Sequence, residues 1–473
     1  MKKHIYWMVA IAIVLASSLT GCRKNDDKPD DNLLDLPYSQ LTPAQQRAKL
    51  EQESINFLNE IRGLSNSSAI KAMQNLAELL DRSTPDIPEP IREVSDWKEI
   101  FDLTDVVGIF TWNNSQERWI QSNSPNNDLR FIFPATKGGT TGNATLIVTV
   151  RNSGLTVTET WCSWDEWDHQ TQSWVCVQER ERVYNLPNSA TAILNIDNRE
   201  AARITYGAEF VGGNEIPRTV TYRMTTNDGY ELFWLADRGK EEVALMRVTR
   251  NDNNLLEARG TTASKLNEIS DLLINGDFTE DDILNRLAQA NATVRLMSDL
   301  VLVYAIEDPA GFYRAMDAIN EWSRAESERI RSWHNAEAER IREEIQRIWD
   351  NWTSGDWDEL LALLDPWYRE EDALWRTRDS LDVLRWNEVT RRQADAMNNF
   401  MRCALVSTKD NFRVADLVAR AEKRWTWQGF DEYGIVFYLR FRDNVLIEAE
   451  TYFGEGFDRL ISEWEDFLNA FNR

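Results

Sequence analysis

Apolar residues recur at helical spacing in two segments near the N-terminus. Thr42-Pro43 opens the first segment with residues suited to a helix N-cap and to the first helical position. The second segment, after Ser68, has apolar side chains three and four residues apart. A proline-rich stretch then ends the helical pattern. We therefore predict an N-terminal helical segment over residues 41–90.

An alternation of apolar and polar residues replaces this pattern from about Val106 to Arg259. Short alternating segments separated by turn residues are typical of strands, and Asn152-Ser153-Gly154 and Asn227-Asp228-Gly229 are hairpin signals. Parallel neighbours would need crossovers of a dozen or more residues, which the spacing does not allow. The pattern predicts an antiparallel meander within a sheet region over residues 91–262.

Helical spacing returns over residues 263–424, where Ala325–Trp333 is repeated at Ala336–Glu344. A period of eleven residues keeps one side of a helix apolar, and the other side carries Glu and Arg at salt-bridge spacing. The apolar side comprises Ile319, Ile330, Ile341 and Trp352. We predict a long charged amphipathic helix over residues 310–352, which meets a partner helix or packs across the sheet.

Further helices are predicted at Trp357–Leu364, from Pro366 to about Val406 after a break, and at Arg413–Lys423. Residues 425–473 return to a hairpin pattern and close with a helix. Because a lone hairpin is only marginally stable, we expect these last strands to rejoin the earlier sheet. The predicted fold class is α+β, a large curved antiparallel sheet packed against long helices.

The first residues follow the layout of a secretion signal. Lys2 and Lys3 precede an apolar run that is too short to span a membrane. The run ends in Leu19-Thr20-Gly21-Cys22, which resembles the lipobox of bacterial lipoproteins. This resemblance implies that residues 1–21 are a removable signal peptide and that Cys22 is acylated.

Residues 22–40 are predicted to form a flexible, hydrophilic, acidic tether. Its acidic residues resemble the export signal of Bacteroidota surface lipoproteins, and Arg23 does not match the inner-membrane retention pattern. The resemblance implies a protein held at the outer membrane by its lipid anchor. It leaves open whether the protein faces the periplasm or the cell surface.

Cys162 and Cys176 flank a segment that is predicted to be two strands around a turn near His169-Gln170. If Cys162 faces Cys176, Trp164 faces Trp174, and the two thiols lie side by side. An oxidising envelope compartment permits a disulfide there. We expect Cys403 to be a buried, inert thiol in a helix.

The chain has 473 residues and a formal net charge of -25, from 53 Lys and Arg against 78 Asp and Glu. This excess of acid disfavours a nucleic-acid partner. The sequence contains no glycine-rich phosphate loop, HExxH or GxSxG motif. Only His169 and His334 follow the signal peptide, in settings unsuited to a catalytic triad. No cofactor or metal site is predicted.

Acidic and aromatic residues concentrate around the predicted hairpin. Indole rings there either stack on the sugar rings of a glycan or pack across the strands beside the disulfide. The carboxylates also leave open a glycosidase-type acid pair. The candidate ligand-binding residues are Trp161, Trp164, Asp165, Glu166, Trp167 and Trp174.

Three classes of function remain open. The sequence favours a non-catalytic envelope lipoprotein that binds a glycan or another surface component. The alternatives are a structural lipoprotein that binds a protein partner through the long helix, and a carboxylate-dependent glycan hydrolase. A tryptophan-lined pocket with two acids roughly 5 to 9 Å apart would favour the hydrolase. A solvent-facing row of tryptophans would favour glycan binding.

Overall fold

In a computed structural model, the chain combines one large β-sheet with helices, an α+β fold. The structure describes residues 31–83, 107–126, 128–168, 173–211, 216–238, 242–264, 279–297, 299–353, 355–427 and 429–454. The helices are α1 (Pro43–Ser65), α2 (Ser68–Arg82), α3 (Glu280–Leu284), α4 (Pro309–Asn351) and α5 (Trp357–Phe400). The strands are β1 (Gly108–Asn113), β2 (Arg118–Ser122), β3 (Leu129–Phe133), β4 (Ala144–Asp168), β5 (Ser173–Ile196), β6 (Arg199–Glu209), β7 (Thr219–Thr226), β8 (Tyr230–Asp237), β9 (Glu242–Arg250), β10 (Asn253–Thr262), β11 (Ala290–Leu296), β12 (Leu300–Ile306), β13 (Met401–Ser407), β14 (Phe412–Trp427), β15 (Phe430–Arg440) and β16 (Leu446–Glu448).

The sixteen described strands form one sheet that follows the order of the chain almost throughout. From β3 to β16 each strand pairs antiparallel with its neighbours in sequence. The exception is β1, which lies between β2 and β3 and pairs parallel with β3. The predicted meander is therefore present with one parallel pair near one edge, and the last strands do rejoin the earlier sheet.

The two N-terminal helices pack on the larger part of the sheet. Thr42 caps α1, and its hydroxyl and the Gln45 side chain form a reciprocal capping box. Ile61 of α1 and Ile70 of α2 are almost fully buried, in a cluster that draws apolar residues from β1 to β10. Burying one such side chain contributes roughly 1.5–3 kcal/mol. The sequence predicts that long helices cover the sheet, whereas the shorter helices α1 and α2 pack on strands β1 to β10.

The long helices α4 and α5 pack mainly on each other. α4 begins and ends within one residue of its predicted bounds. Its isoleucines lie in the interface, where Ile319 joins Val389 and Ala396 of α5, and Ile341 joins Leu374. The eleven-residue repeat therefore marks a contact with a partner helix. We predicted a break before Pro366, but α5 continues through it.

The structure corrects several predicted helices between residues 263 and 424. The strands β11 and β12 precede α4, and β13 and β14 follow α5, so Arg413–Lys423 is strand and Cys403 does not lie in a helix. β12 is buried on both faces, and its sequence is a continuous run of apolar residues. Such a run lacks the alternation of apolar and polar residues that would distinguish a strand from a helix in the sequence.

The ends of the chain need smaller corrections. The tether predicted for residues 22–40 cannot be flexible throughout, because Asp31–Asp35 form a 3₁₀ turn whose Leu33 and Leu34 are buried against β12 and β13. Strand β16 is short, and residues 449–454 are helical. The predicted signal peptide, Cys22 and the predicted C-terminal helix lie outside the described residues. No helix in the described ranges has both the length and the apolar character of a membrane span.

Candidate functional site

Strands β4 and β5 continue well beyond the sheet as a two-stranded ribbon. β4 pairs with β3 only over Ala144–Val148, and β5 pairs with β6 only over Ser189–Ile196. Residues 152–168 and 173–187, which we call the disulfide ribbon, form ladder pairs only with each other among the described strands. At about 3.3 Å per residue the ribbon is about 50 Å long.

The ribbon begins at a bulge that we had predicted to be a hairpin turn. The chain runs straight through Asn152-Ser153-Gly154, and the ladder shifts register between Asn152 and Thr156. Gly154 has φ 86°, a conformation that glycine tolerates and that bulges often require. The Ser153 hydroxyl donates a hydrogen bond across the ribbon to the Leu186 carbonyl at 2.7 Å. In contrast, Asn227-Asp228-Gly229 does form the predicted turn, between β7 and β8.

The predicted disulfide is present in this ribbon. Cys162 and Cys176 are bridged, with their Cα atoms 5.6 Å apart. The predicted register is wrong, because Trp167 and not Trp164 faces Trp174. Two register shifts between Cys162 and Asp165 offset each other, and Cys162 lies opposite Glu179 while Cys176 lies opposite Asp165. The turn itself, including His169 and Gln170, lies outside the described residues.

Two candidate tryptophans form an exposed pair near the end of the ribbon. Trp167 and Trp174 are directly opposite each other, with ring centroids 5.7 Å apart and an edge-to-face angle of 70°. They are 42% and 67% exposed. Glu166 is opposite Val175, so the pleat places its carboxylate on the other face of the ribbon. The ribbon therefore separates this acid from the indoles.

The other candidate residues are placed only by their backbone. Trp161, Trp164 and Asp165 lie in β4, opposite Arg180, Gln178 and Cys176. The positions of these three side chains lie outside the described part of the chain. Trp167 and Trp174 therefore fit both interpretations of the cluster. They pack against each other across the strands, and they are also exposed to solvent, where a glycan could stack on them.

A second group of exposed tryptophans lies where α4 ends and α5 begins. Trp349, Trp352 and Trp357 contact one another, with ring centroids 5.3 to 6.4 Å apart. Trp357 is 60% exposed. Farther along α5, the Arg378 guanidinium and the His334 ring both lie 4.4 Å from the centre of Trp375. His334 is therefore buried between the two helices, where it serves packing.

A cavity that the sequence did not predict lies between the C-terminal end of α5 and strands β13 to β16. Its volume is about 990 Å³. The arginines that line it are Arg391, Arg402, Arg413, Arg420 and Arg440. These residues come from three strands and one helix, and Arg413 and Arg420 fell in a segment predicted to be helical. A strand interpretation of that segment would have placed Asp416, Arg420 and Glu422 on one face.

Asp416 is the polar centre of this cavity. It is 8% exposed and accepts hydrogen bonds from the Tyr38 hydroxyl at 2.5 Å and from Arg440 at 2.8 Å. Burial and the hydrogen bond to Asp416 raise the pKa of Tyr38, and the hydrogen bond to Asp416 raises the pKa of Arg440. Burial raises the pKa of the Cys403 thiol, also in the lining, to about 12, so this cysteine is a poor nucleophile.

The described residues offer little for acid–base catalysis or metal binding. Burial raises the pKa of Asp237 to about 6, a value that suits a general acid. However, Asp237 has no exposed surface, so a substrate cannot reach it. Within the described ranges no group of three or more His, Cys, Asp or Glu side chains is arranged to hold a metal ion.

Comparisons of this chain with protein-family models, with curated proteins and with solved structures found no match in any of the three.

Proposed function

We propose that this chain is an outer-membrane lipoprotein, anchored through Cys22, whose disulfide ribbon binds a glycan. The observation that carries the proposal is the pair Trp167 and Trp174, two exposed indoles on one face of a long cross-linked ribbon. Aromatic faces provide large apolar contact areas and specific stacking geometry. In an edge-to-face pair one ring supports the other and leaves a face free for a sugar ring.

The construction of the ribbon supports a binding role. Apolar side chains are left in water along it, including Val177 and Val183 at 58% and 62% exposure. An isolated two-stranded ladder is marginally stable, and the Cys162–Cys176 bridge compensates for the missing packing partner. A surface that is preorganised for its ligand loses less conformational entropy on binding.

The alternatives find less support in the described residues. A hydrolase would be favoured by a tryptophan-lined pocket with paired acids, but the large cavity is lined by arginines and the Glu166 carboxylate lies on the opposite face from the indoles. A partner helix for α4 is already supplied by α5. The exposed tryptophans Trp349 and Trp357 at the end of the helical hairpin favour a protein partner as the second candidate.

Glycan binding can be tested on the chain without residues 1–21, with Cys22→Ser to keep it free of lipid. This protein is titrated against a panel of polysaccharides, and sugar release is followed in the same wells. We expect binding without release, and about two- to tenfold weaker binding in Trp167→Ala and Trp174→Ala, since one aromatic contact contributes roughly 0.5–1.5 kcal/mol beyond its buried area. Trp386→Ala, which removes an indole that is 56% exposed on α5, is the matched control.

Each outcome separates the three classes. Release of sugar would show that the chain is a glycan hydrolase and not a non-catalytic binding module. Equal losses in Trp174→Ala and Trp386→Ala, or no binding to any polysaccharide, would count against the ribbon. The anchor has its own test, because Cys22→Ala should abolish incorporation of a labelled fatty acid in cells, and persistent labelling would refute it.

A further inference from the structure

The charge of the cavity between α5 and β13 to β16 is opposite to that of the chain. The whole sequence has 78 acidic residues against 53 basic ones. The cavity lining has five arginines against three carboxylates, Asp395, Asp416 and Glu422. Its volume of about 990 Å³ is at the upper end of the range for small-molecule sites, roughly 300–1,000 Å³.

Two guanidinium groups share one buried carboxylate in this cavity. Asp416 pairs with Arg413 at 3.1 Å and with Arg440 at 2.8 Å. This trio retains one uncompensated positive charge. In addition, the Nε–H of Arg413 is buried and has no hydrogen-bond acceptor among the described residues. This nitrogen has almost no exposed surface, so a ligand would reach the trio through the exposed parts of the arginine side chains, which are 21% exposed at Arg413 and 43% exposed at Arg440.

Arg420 is a further guanidinium group in the lining. Its guanidinium lies 5.6 Å from the centre of the Tyr438 ring and forms no ion pair with any described carboxylate. The other two arginines of the lining are already balanced, since Arg402 pairs with Asp35 at 2.6 Å and Arg391 pairs with Glu388. Of the five lining arginines, Arg420 is therefore the one without a described ion pair, and Arg413 and Arg440 share a single carboxylate.

We propose that this cavity binds a small anionic molecule that carries phosphate or carboxylate groups. Guanidinium groups hold both kinds of anion through paired, charge-assisted hydrogen bonds. Apolar side chains in the same lining, among them Val418 and Leu446, offer a surface for an uncharged part of the ligand. This site is separate from the ribbon, and the inference does not depend on glycan binding.

The test uses inorganic phosphate and citrate as probes, titrated calorimetrically into the lipid-free protein at constant ionic strength set with sodium chloride. We expect saturable binding of at least one probe. Arg420→Gln should weaken it at least about tenfold, because one charged hydrogen-bond donor is lost. Arg424→Gln is the matched control, since Arg424 lies on the same strand outside the lining and pairs with Glu448 at 3.0 Å.

A second variant, Val418→Trp, fills the cavity without changing its charge and should also prevent binding. Circular dichroism and the unfolding midpoint of each ligand-free variant check that it folds. Tighter binding of phosphate than of citrate would assign phosphate-bearing ligands, and the reverse would assign carboxylate-bearing ones. Absence of saturable binding for both probes, or equal affinity in Arg420→Gln and Arg424→Gln, would overturn the proposal.

Discussion

Two hairpins extend beyond the sheet, and they are stabilised by different means. The disulfide ribbon has its own ladder and one covalent link. The other, residues 417–427 and 430–437, lies against α5, and we call it the helix-supported ribbon. The Asn398 side chain donates to the Ala419 carbonyl at 2.7 Å and accepts from its N–H at 2.9 Å, as a neighbouring strand would. A cross-link in one ribbon thus takes the place of a packed helix in the other.

This difference decides what each ribbon can bind. Packing against α5 encloses space, and the arginine-lined cavity forms beside that contact. The disulfide ribbon keeps both faces in solvent and presents Trp167 and Trp174 openly. A covalent link therefore suits an extended ligand that lies along a surface, whereas helix support suits a small ligand that is enclosed.

The largest effect on stability is expected at the turn between β13 and β14. Asp299 is 1% exposed, pairs with Lys49 at 2.8 Å and accepts from Ser407 at 2.8 Å, so it joins α1 to the β13–β14 turn. Asp299→Ala leaves the Lys49 ammonium with Asp410 alone. We expect the free energy of unfolding in urea to fall by about 3 kcal/mol. A change below about 0.5 kcal/mol would show that this network does not stabilise the fold.

The next effect concerns the contact with α5. Asn398→Ala leaves both backbone groups of Ala419 without partners, and because Ala419 is 4% exposed, we expect a loss of about 2 kcal/mol in urea unfolding. Asn387→Ala is the control, because Asn387 bonds Asp431 and Tyr433 where water can replace it. It should cost no more than about 0.5 kcal/mol. Equal losses would mean that burial does not distinguish the two contacts.

Acid should weaken the network around Asp299. Burial alone would raise the pKa of Asp299, but hydrogen bonds from Lys49, Ser407 and the Lys409 N–H outweigh it and lower the pKa. The stabilisation is thus complete above the unfolded pKa of about 3.9 and is lost as pH falls through the lower folded value. We expect a loss of about 1 kcal/mol between pH 5 and pH 3. Asp299→Asn should flatten this limb of the pH profile, and an unchanged profile would contradict the assignment.

The smallest effect on global stability is expected from the disulfide. In Cys162→Ser/Cys176→Ser, the sheet should unfold within about 0.5 kcal/mol of the parent protein, because the ribbon forms ladder pairs only with itself among the described strands. Removal of the disulfide should destabilise the ribbon itself by roughly 3 kcal/mol, the value for a loop of this size, without destabilising the rest of the sheet. Hydrogen exchange should therefore accelerate over residues 152–168 and 173–187 alone. A global loss near 3 kcal/mol would show that the ribbon is part of the cooperative core.

Local signals in the sequence predicted the elements that depend on local chemistry. The capping residue Thr42 and the eleven-residue repeat with Ile330 at its centre gave helices with nearly correct bounds. The cysteine pair was also predictable from its spacing. Gly154 was misread because a glycine with positive φ serves a bulge as well as a turn, and sequence spacing alone does not separate the two.

The arginine-lined cavity could not be predicted, for a different reason. Its walls bring together parts of the chain as distant as Leu34 and Leu446. In addition, β14 alternates short apolar with charged residues, and its charged face lines the cavity instead of facing bulk solvent. Only the tertiary arrangement gives these charges a common environment.

The helical hairpin is inserted between two residues that are already neighbours. Ile306, at the end of β12, pairs directly with Met401, at the start of β13. The α4–α5 segment is thus topologically equivalent to an oversized loop, and the sheet imposes no particular length on it. Removing one eleven-residue unit from α4 and an equal length from α5 would shorten the hairpin by about 16 Å, at 1.5 Å per residue, with the strand register unchanged. The reach of this arm is therefore a dimension that evolution or engineering can adjust independently of the sheet.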